Sequence, residues 1–560
     1  MHRAQIGKQR RRKEKPIFGE SAAAAERFTL LFSLRINSLN MEDSYLLLIG
    51  FLFALAIVDL MVGVSNDAVN FLNSAIGSKV ASMRTVLIIS SAGIFLGAVF
   101  SSGMMEVARK GIFTPSLFTM DELMVIFLAV MITDILLLDI YNSLALPTST
   151  TVSIVFELLG AALVLALIKS GQDPTHQLLD YINTDKAVQI IAGIFLSVGV
   201  AFTIGALVQF ITRLWFTFDF ERHIPRIGWL FGGIAISAIS YFVLIKGLKN
   251  SSFLSPDQMH WIKSHTLTLV GLLFAVSALI LLALHRLVQV HPLKMVVLAG
   301  TFSLAMAFAG NDLVNFIGVP ITGFQTYQAH QQWLESGASG SFSLGFLEEA
   351  VAAPPLLLAL AGGIMMLTLW FSGKARKVTD TTVDLGRQMA GEERFRPHLL
   401  SRVIVGASMK ISAGLLRILP STWIDGMNRR FQLPERTEEQ SAAFDLVRAS
   451  VNLMVASILI AIASSLKLPL STTYVSFMVA MGASLADRAW GSESAVYRVA
   501  GVMNVIGGWF LTALSALLVS GSMAFVFYRW GIPAITTLFG LAALLFIRSQ
   551  LRFMRKRKQA

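Results

Sequence analysis

Apolar residues fill whole stretches of this chain instead of alternating with polar ones. The runs are 44–64, 85–101, 122–141, 187–212, 227–246, 265–284, 293–309, 354–371, 497–520 and 522–547. Most reach the length that crosses a bilayer as a helix, roughly 18 residues or more. A membrane β-barrel would show period-2 alternation in segments of about ten residues, and none is visible. Two more stretches, 147–168 and 444–486, are apolar but broken by polar motifs. The pattern predicts an all-α polytopic membrane protein with many spans.

The polar interruptions are repeated. Asn66-Asp67-Ala68-Val69-Asn70-Phe71 returns as Asn311-Asp312-Leu313-Val314-Asn315-Phe316. Ser143-Leu144-Ala145-Leu146-Pro147-Thr148-Ser149-Thr150-Thr151 returns as Ser465-Leu466-Lys467-Leu468-Pro469-Leu470-Ser471-Thr472-Thr473. Gly160-Ala161 and Gly482-Ala483 follow Ser149 and Ser471 at the same distance. Two halves that each carry polar residues to matching membrane positions predict an internally duplicated secondary transporter with its site between the halves.

Charge refines the path. Of the 560 residues 55% are hydrophobic and 14% charged, against about 25% charged in soluble domains. The net charge is +12, and residues 1–40 hold nine Lys/Arg against three Glu. Such an excess in a membrane protein marks cytoplasmic ends of spans, so no nucleic-acid partner is inferred. Segment 310–353 has no Lys or Arg and segment 372–447 has twelve, which puts the first outside and the second in the cytoplasm. If 147–168 returns as a re-entrant hairpin, the spans bearing Asp67 and Asp312 run in opposite directions. The repeat is then inverted, with two re-entrant hairpins. The chain divides into a basic extension (1–40), a first repeat (41–212), linking helices (213–290), the start of the second repeat (291–371), a basic cytoplasmic loop (372–443), the rest of that repeat with a final helix (444–547) and a basic tail (548–560). On this path the extension falls outside, against the positive-inside rule. Either it is an exception, or the working chain begins at Met41, just before the first span. Absence of cysteine excludes disulfides, thiolate zinc sites and Fe–S clusters.

A carboxylate at membrane depth costs several kcal/mol unless paired, protonated or bound to an ion. Asp67 and Asp312, with Asn66, Asn70, Asn311 and Asn315, offer hard oxygen ligands for a coupling ion, Na⁺ or H⁺. If the ion is sodium, Asp67 and Asp312 are its metal ligands. Small residues before each motif, Val64-Ser65 and Ala309-Gly310, would let backbone carbonyls join them. In the second motif, proline ends one apolar segment and hydroxyl residues cap the next helix. The N–H groups and positive dipole end of that helix suit an anion. Thr148, Ser149, Thr150, Thr151, Ser471, Thr472 and Thr473 are therefore the anion-binding candidates. Asp59, Asp134, Asp139 and Glu157 are weaker candidates for proton coupling, since the second half lacks counterparts. His176, His223, His265 and His330 fall in expected connections and lack metal-ligand spacing. Leu399, Leu400, Val403, Ile404, Ala407, Ile411, Leu415 and Leu419 recur at helical spacing, which suits a helix on the inner leaflet or one packed on the bundle.

These residues resemble the PiT family of inorganic phosphate transporters. That family carries Gly-Ala-Asn-Asp-Val-Ala-Asn-Ala in each half; the counterparts here begin at Asn66 and Asn311. Its Pro-x-Ser-x-Thr-His motif is similar to Pro147–Thr151 and Pro469–Thr473. Glu106-Val107-Ala108-Arg109-Lys110-Gly111-Ile112 is similar to its Glu-Thr-Ile-Arg-Lys-Gly-Ile. The resemblance runs from about residue 45 to 525. The family's histidine is replaced by Val152 and Tyr474, and a glutamate of the second span falls within Ser90-Ser91-Ala92; both leave the coupling ion open. The resemblance implies symport of inorganic phosphate with Na⁺ or H⁺ across the cytoplasmic membrane. No cofactor is implied, and a homo-oligomer is open. A sulfate carrier on the same scaffold is the alternative. A membrane-embedded enzyme acting on lipid phosphates would need a basic and acidic cluster or a His/Asp constellation, which the motifs do not supply.

Overall fold

A computed structural model of the chain describes residues 44–101, 111–172, 175–241, 255–337, 341–348, 353–387, 399–416, 420–432, 442–466, 468, 470–488 and 494–559. The extension 1–40, the Glu106–Lys110 part of the third motif and Pro469 lie outside the described residues. The apolar stretches form helices because in lipid each backbone N–H must find its carbonyl within the segment. In chain order these are α1 (Tyr45–Asp67), α2 (Val69–Gly77), α3 (Met83–Val99), α4 (Met120–Leu144), α5 (Thr150–Ser170), α6 (Thr184–Phe216), α7 (Trp229–Ser240), α8 (Thr266–Leu287), α9 (Pro292–Glu335), α10 (Pro355–Phe371), α11 (Gly373–Leu385), α12 (Leu399–Leu416), α13 (Ser421–Arg430), α14 (Leu446–Ser465), α15 (Thr472–Ala486) and α16 (Ser494–Gln559). Among the described residues, eight helices are long and apolar enough to cross a membrane, or nine if the pair α10–α11, bent by 71°, is one span.

The two motif helices are held by equivalent glycines. A Cβ on Gly160 of α5 would lie 2.1 Å from the Leu517 carbonyl of α16, and one on Gly482 of α15 would lie 2.1 Å from the Phe202 carbonyl of α6. Only glycine permits these backbones to approach so closely. The most buried span is α4, whose residues from Leu123 to Ile132 are almost wholly out of contact with solvent.

Four features depart from the sequence reading. The stretch 293–309 does not stop at its motif: α9 runs for 44 residues through Asn311, Asp312 and Pro320. The polar side chains there find partners on other elements, so they do not compete for their own backbone. At the first motif the chain stays close to helical, with Ala68 N–H bonding Val64 O at 3.0 Å between α1 and α2. The expected break near residue 521 falls instead at Gly531, with φ +59° and Pro533 following; Gly521 lies against the Gly160 carbonyl. His330 is not in a connection but within α9, edge-on to Tyr45 at 5.6 Å.

The fourth departure is α11, which belongs to the stretch expected as a basic cytoplasmic loop. It folds back into the bundle: Lys374 is buried and pairs with Asp139 at 2.6 Å, and Thr381 Oγ1 donates to the Ala145 carbonyl at 2.8 Å. Asp139 is thereby a partner of Lys374 and not a free membrane carboxylate. The amphipathic repeat at 399–416 does form a helix, α12; its Val405 packs with Ala495 and Val499 of α16, while Leu399, Leu400 and Val403 are exposed.

Where α6 ends and α14 begins, buried ions tie four elements. Arg213 bonds Asp445 and Asp487, at 2.8 and 2.7 Å. Arg448 bonds Asp487 at 2.8 Å and the Gly386 carbonyl at the end of α11. Burial works against the charge on Asp487, but Arg213 and Arg448 outweigh it and hold its pKa below the ordinary aspartate range.

Candidate functional site

The two hydroxyl motifs make the same local structure. Ser149 and Ser471 both have extended backbone and stand as N-caps, their Oγ atoms accepting from Val152 N–H and Tyr474 N–H at 3.1 Å each. Each cap satisfies one orphan N–H and leaves the serine O–H as a donor. Ahead of α5, α4 closes with Ala145 in the left-handed region, φ +58°.

Thr150, Thr151, Thr472 and Thr473 occupy the first turns of α5 and α15, and there the four motifs meet. Thr150 Oγ1 donates to Asp67 Oδ2 at 3.0 Å and Thr473 Oγ1 to Asp67 Oδ1 at 2.9 Å. Reciprocally, Thr472 Oγ1 donates to Asp312 Oδ2, and Thr151 Oγ1 to Asp312 Oδ1 at 3.2 Å. Asn70 Nδ2 donates to Thr473 Oγ1 at 3.0 Å; Asn315 Nδ2 donates to Thr151 Oγ1 at 3.0 Å. Exchanging the halves maps every one of these bonds onto another. Both carboxylates and all four threonines are buried, and among the described residues no Lys, Arg or His enters these bonds.

The remaining candidates lie around this centre. Asn66 clamps the α4–α5 bend: it accepts from Thr148 N–H at 2.8 Å and donates to Asn142 Oδ1 at 2.9 Å and the Leu146 carbonyl at 3.2 Å. Asn311 donates to Asp312 Oδ1 at 2.7 Å and the Leu470 carbonyl at 3.4 Å. The hydroxyl of Thr148 is not with the others; it pairs with Thr512 of α16 at 2.7 Å.

Three groups escape a reading of the motifs alone. Ser476 donates to Asn70 Oδ1 at 2.9 Å; it stands one turn after Thr472 on the same face, which was its only signal. Trp509 Nε1 donates to the Pro147 carbonyl at 3.2 Å and its ring stacks on Tyr474 at 3.7 Å. Asn142 reaches both Asn66 and the Val62 carbonyl. Trp509 and Asn142 carry no repeated pattern to single them out.

Chemically the centre offers two buried carboxylates whose negative charge is met only by neutral donors. Uncharged hydroxyls and amides stabilise such charge less than a cation or a proton does. The arrangement therefore suits cations at the carboxylates, and hydroxyl and N–H donors for an anion beside them.

The model of the phosphate transporter family matches residues 63–384, more than half of the chain. The chain belongs to the phosphate transporter family. A protein of Pyrococcus furiosus named as a candidate phosphate permease is 31% identical over 154 residues, 27% of this chain, and the match spans only 33% of that relative's length. A solved structure of a sodium-dependent phosphate transporter superposes with a TM-score of 0.56 at 18% identity, covering 86% of this chain and 99% of the other; at that identity the likeness is one of fold. Family and apolar helices together make this a multi-pass membrane protein of a transporter family.

Proposed function

We propose that the chain carries inorganic phosphate across the cytoplasmic membrane, driven by sodium bound at Asp67 and Asp312, with two inverted repeats whose α4–α5 and α14–α15 bends are re-entrant. The observation that carries the reading is the reciprocal set of bonds from Thr150, Thr151, Thr472 and Thr473 to the two carboxylates, in a chain of this family. The choice of sodium is supported by the name of the fold neighbour, a sodium-dependent transporter.

The bonds suggest how coupling works. With no cation, the threonine hydroxyls are committed to Asp67 and Asp312. A sodium ion on each carboxylate supplies the positive charge those hydroxyls were approximating. The hydroxyls are then free to turn to phosphate oxygens, beside the cap O–H groups of Ser149 and Ser471. Each sodium also offsets anion charge, so cation and phosphate binding favour one another reciprocally. Asn70 and Asn315 orient Thr473 and Thr151, while Asn66, Asn311 and Thr148 fix the bends. Phosphate keeps an O–H near neutral pH and can donate to the acceptors that line the site; sulfate cannot, and would face them unpaired. Phosphate is therefore favoured.

The test is radiolabelled phosphate uptake by proteoliposomes, with excess sulfate as competitor. Ser149→Ala and Ser471→Ala should each cut uptake strongly while insertion stays normal, and sulfate should compete poorly. Full uptake by the double variant, or equal inhibition by sulfate, contradicts the site or the substrate.

A further inference from the structure

Three acidic side chains lie buried together away from the hydroxyl–carboxylate centre. Asp59 of α1, Asp134 of α4 and Glu157 of α5 are each 0% exposed. The carboxyl of Asp134 lies close to those of Asp59 and Glu157, with the Ser153 hydroxyl nearby. Both oxygens of Asp59, both of Asp134 and Oε2 of Glu157 have no donor. Glu157 Oε1 alone is met, by Ser153 Oγ at 2.7 Å. Two carboxylates in contact without a donor repel, and in an apolar interior the repulsion is not screened. Each contact becomes attractive only when something positive sits in it.

The scaffold does not require acids at these positions. Eight residues before Asp67 is Asp59, and eight before Asp312 is Leu304. Thirteen before Pro147 is Asp134, and thirteen before Pro469 is Ala456. Eight after Ser149 is Glu157, and eight after Ser471 is Val479. Leu304, Ala456 and Val479 are buried too, so the positions at equal offsets from the second copies of the motifs hold hydrocarbon. The acids are an addition, at a cost of several kcal/mol each if left charged.

A proton in each contact is the smallest positive group that relieves this repulsion. Among the described residues no three or more His, Asp or Glu side chains are placed to share a metal ion. The carboxyls are strung as Asp59–Asp134–Glu157, which puts a proton in each contact rather than an ion at a centre. The charged groups bearing on the trio are its own members and Asp67, which acts on Asp59 and is itself acted on by Asp134 and Asp312. From α16, the Ser520 hydroxyl donates to the Glu157 carbonyl. No Lys, Arg or His of the described residues is among these groups.

We propose that Asp59, Asp134 and Glu157 form a proton-binding site inside the membrane, separate from the phosphate site, whose proton occupancy is linked to the charge at Asp67. A cation on Asp67 makes the surroundings of Asp59 less negative and favours release of a proton from the trio. By reciprocity, protonating the trio favours a bare Asp67 less strongly bound to its cation. This linkage rests on Asp67 holding a cation; the proton site itself does not.

Infrared difference spectroscopy of the reconstituted full chain reads the protonated-carboxyl stretch directly, without requiring transport. In the wild type a pH step should produce a titrating band, and added NaCl should diminish it at fixed pH. Asp134→Asn should remove most of the titrating band, and Glu157→Gln part of it. Asp67→Asn should keep the band and lose the response to sodium. A titrating band that survives unchanged in both Asp134→Asn and Glu157→Gln overturns the site, as does a wild type with no titrating band between pH 5 and 9, roughly the range in which a buried acid releases its proton. A band that depends on Asp134 but ignores sodium in the wild type leaves the proton site standing and overturns the cation at Asp67. Glu157→Gln serves in place of Asp134→Asn should the latter fail to insert.

Discussion

Thr151 and Thr473 are the residues that join the halves. Each sits on one hairpin and donates to the carboxylate of the opposite motif, Thr151 to Asp312 and Thr473 to Asp67. Thr150 and Thr472 donate within their own half. In the loaded state of the proposed cycle that hydroxyl turns to phosphate, so removing it takes one donor from the bound anion, about 1–3 kcal/mol. Thr151→Val should therefore lower phosphate uptake by roughly 5- to 150-fold at subsaturating phosphate if that loss falls on binding, whereas Thr151→Ser should retain most of it. Initial rates in proteoliposomes decide; equal rates for the Val and Ser variants would show that the hydroxyl is structural only. These contacts were half legible beforehand. The motifs named both carboxylates and all four threonines because the same side chains recur twice. They did not show that Asn66 and Thr148 serve the bend, since a hydrogen bond to Asn142, Leu146 or Thr512 leaves no mark on spacing.

At the scale of elements, the ion cluster joining α6, α11, α14 and α15 holds one end of the bundle. Asp487 is its hub, bonded by Arg213, Arg448 and Gln209. Breaking a buried ion pair by removing one partner costs about 3–5 kcal/mol, so Asp487→Asn should lower the melting temperature of the detergent-solubilised protein markedly. The pKa of Asp487 is depressed in the folded chain. Its pairing therefore stabilises above the unfolded aspartate value of roughly 4 and is lost as pH falls through the folded one. The gap between wild type and variant should be full at neutral pH and shrink below about pH 4; a gap constant through that range would contradict the assignment. Helices were the legible elements, because apolar length alone dictates them. Their limits were less so. The bend at Gly531 was misplaced to Gly521, because both glycines interrupt the same apolar run and only packing tells a bend from a close approach. The inward fold of α11 was hidden because Lys374 reads as a loop charge until Asp139 is seen beside it.

At the scale of the whole molecule, the exchange symmetry of the site's bonds supports two equivalent halves, and charge asymmetry supports their opposite orientation. The chain has no native cysteine, so labelling has no background. Ser343→Cys, exposed in the Lys/Arg-free segment, should react with an impermeant thiol reagent from outside intact cells. Ser421→Cys, exposed at the start of α13, should react only after permeabilisation. Reversed labelling would invert the orientation, and labelling of both from one side would break the proposed path.

Asp67 and Asp312 carry the coupling in this account, and one measurement bears on that most directly. Phosphate accumulation is followed in proteoliposomes under an inward sodium gradient and, separately, an inward proton gradient, for the wild type and for the Asp67→Asn/Asp312→Asn double variant. The wild type should concentrate phosphate above equilibrium under the sodium gradient. The double variant keeps the shape of both side chains but not their charge; it should fail to concentrate phosphate and lose the dependence on sodium. Accumulation by the double variant against the phosphate gradient, with the ion dependence of the wild type, would contradict the account.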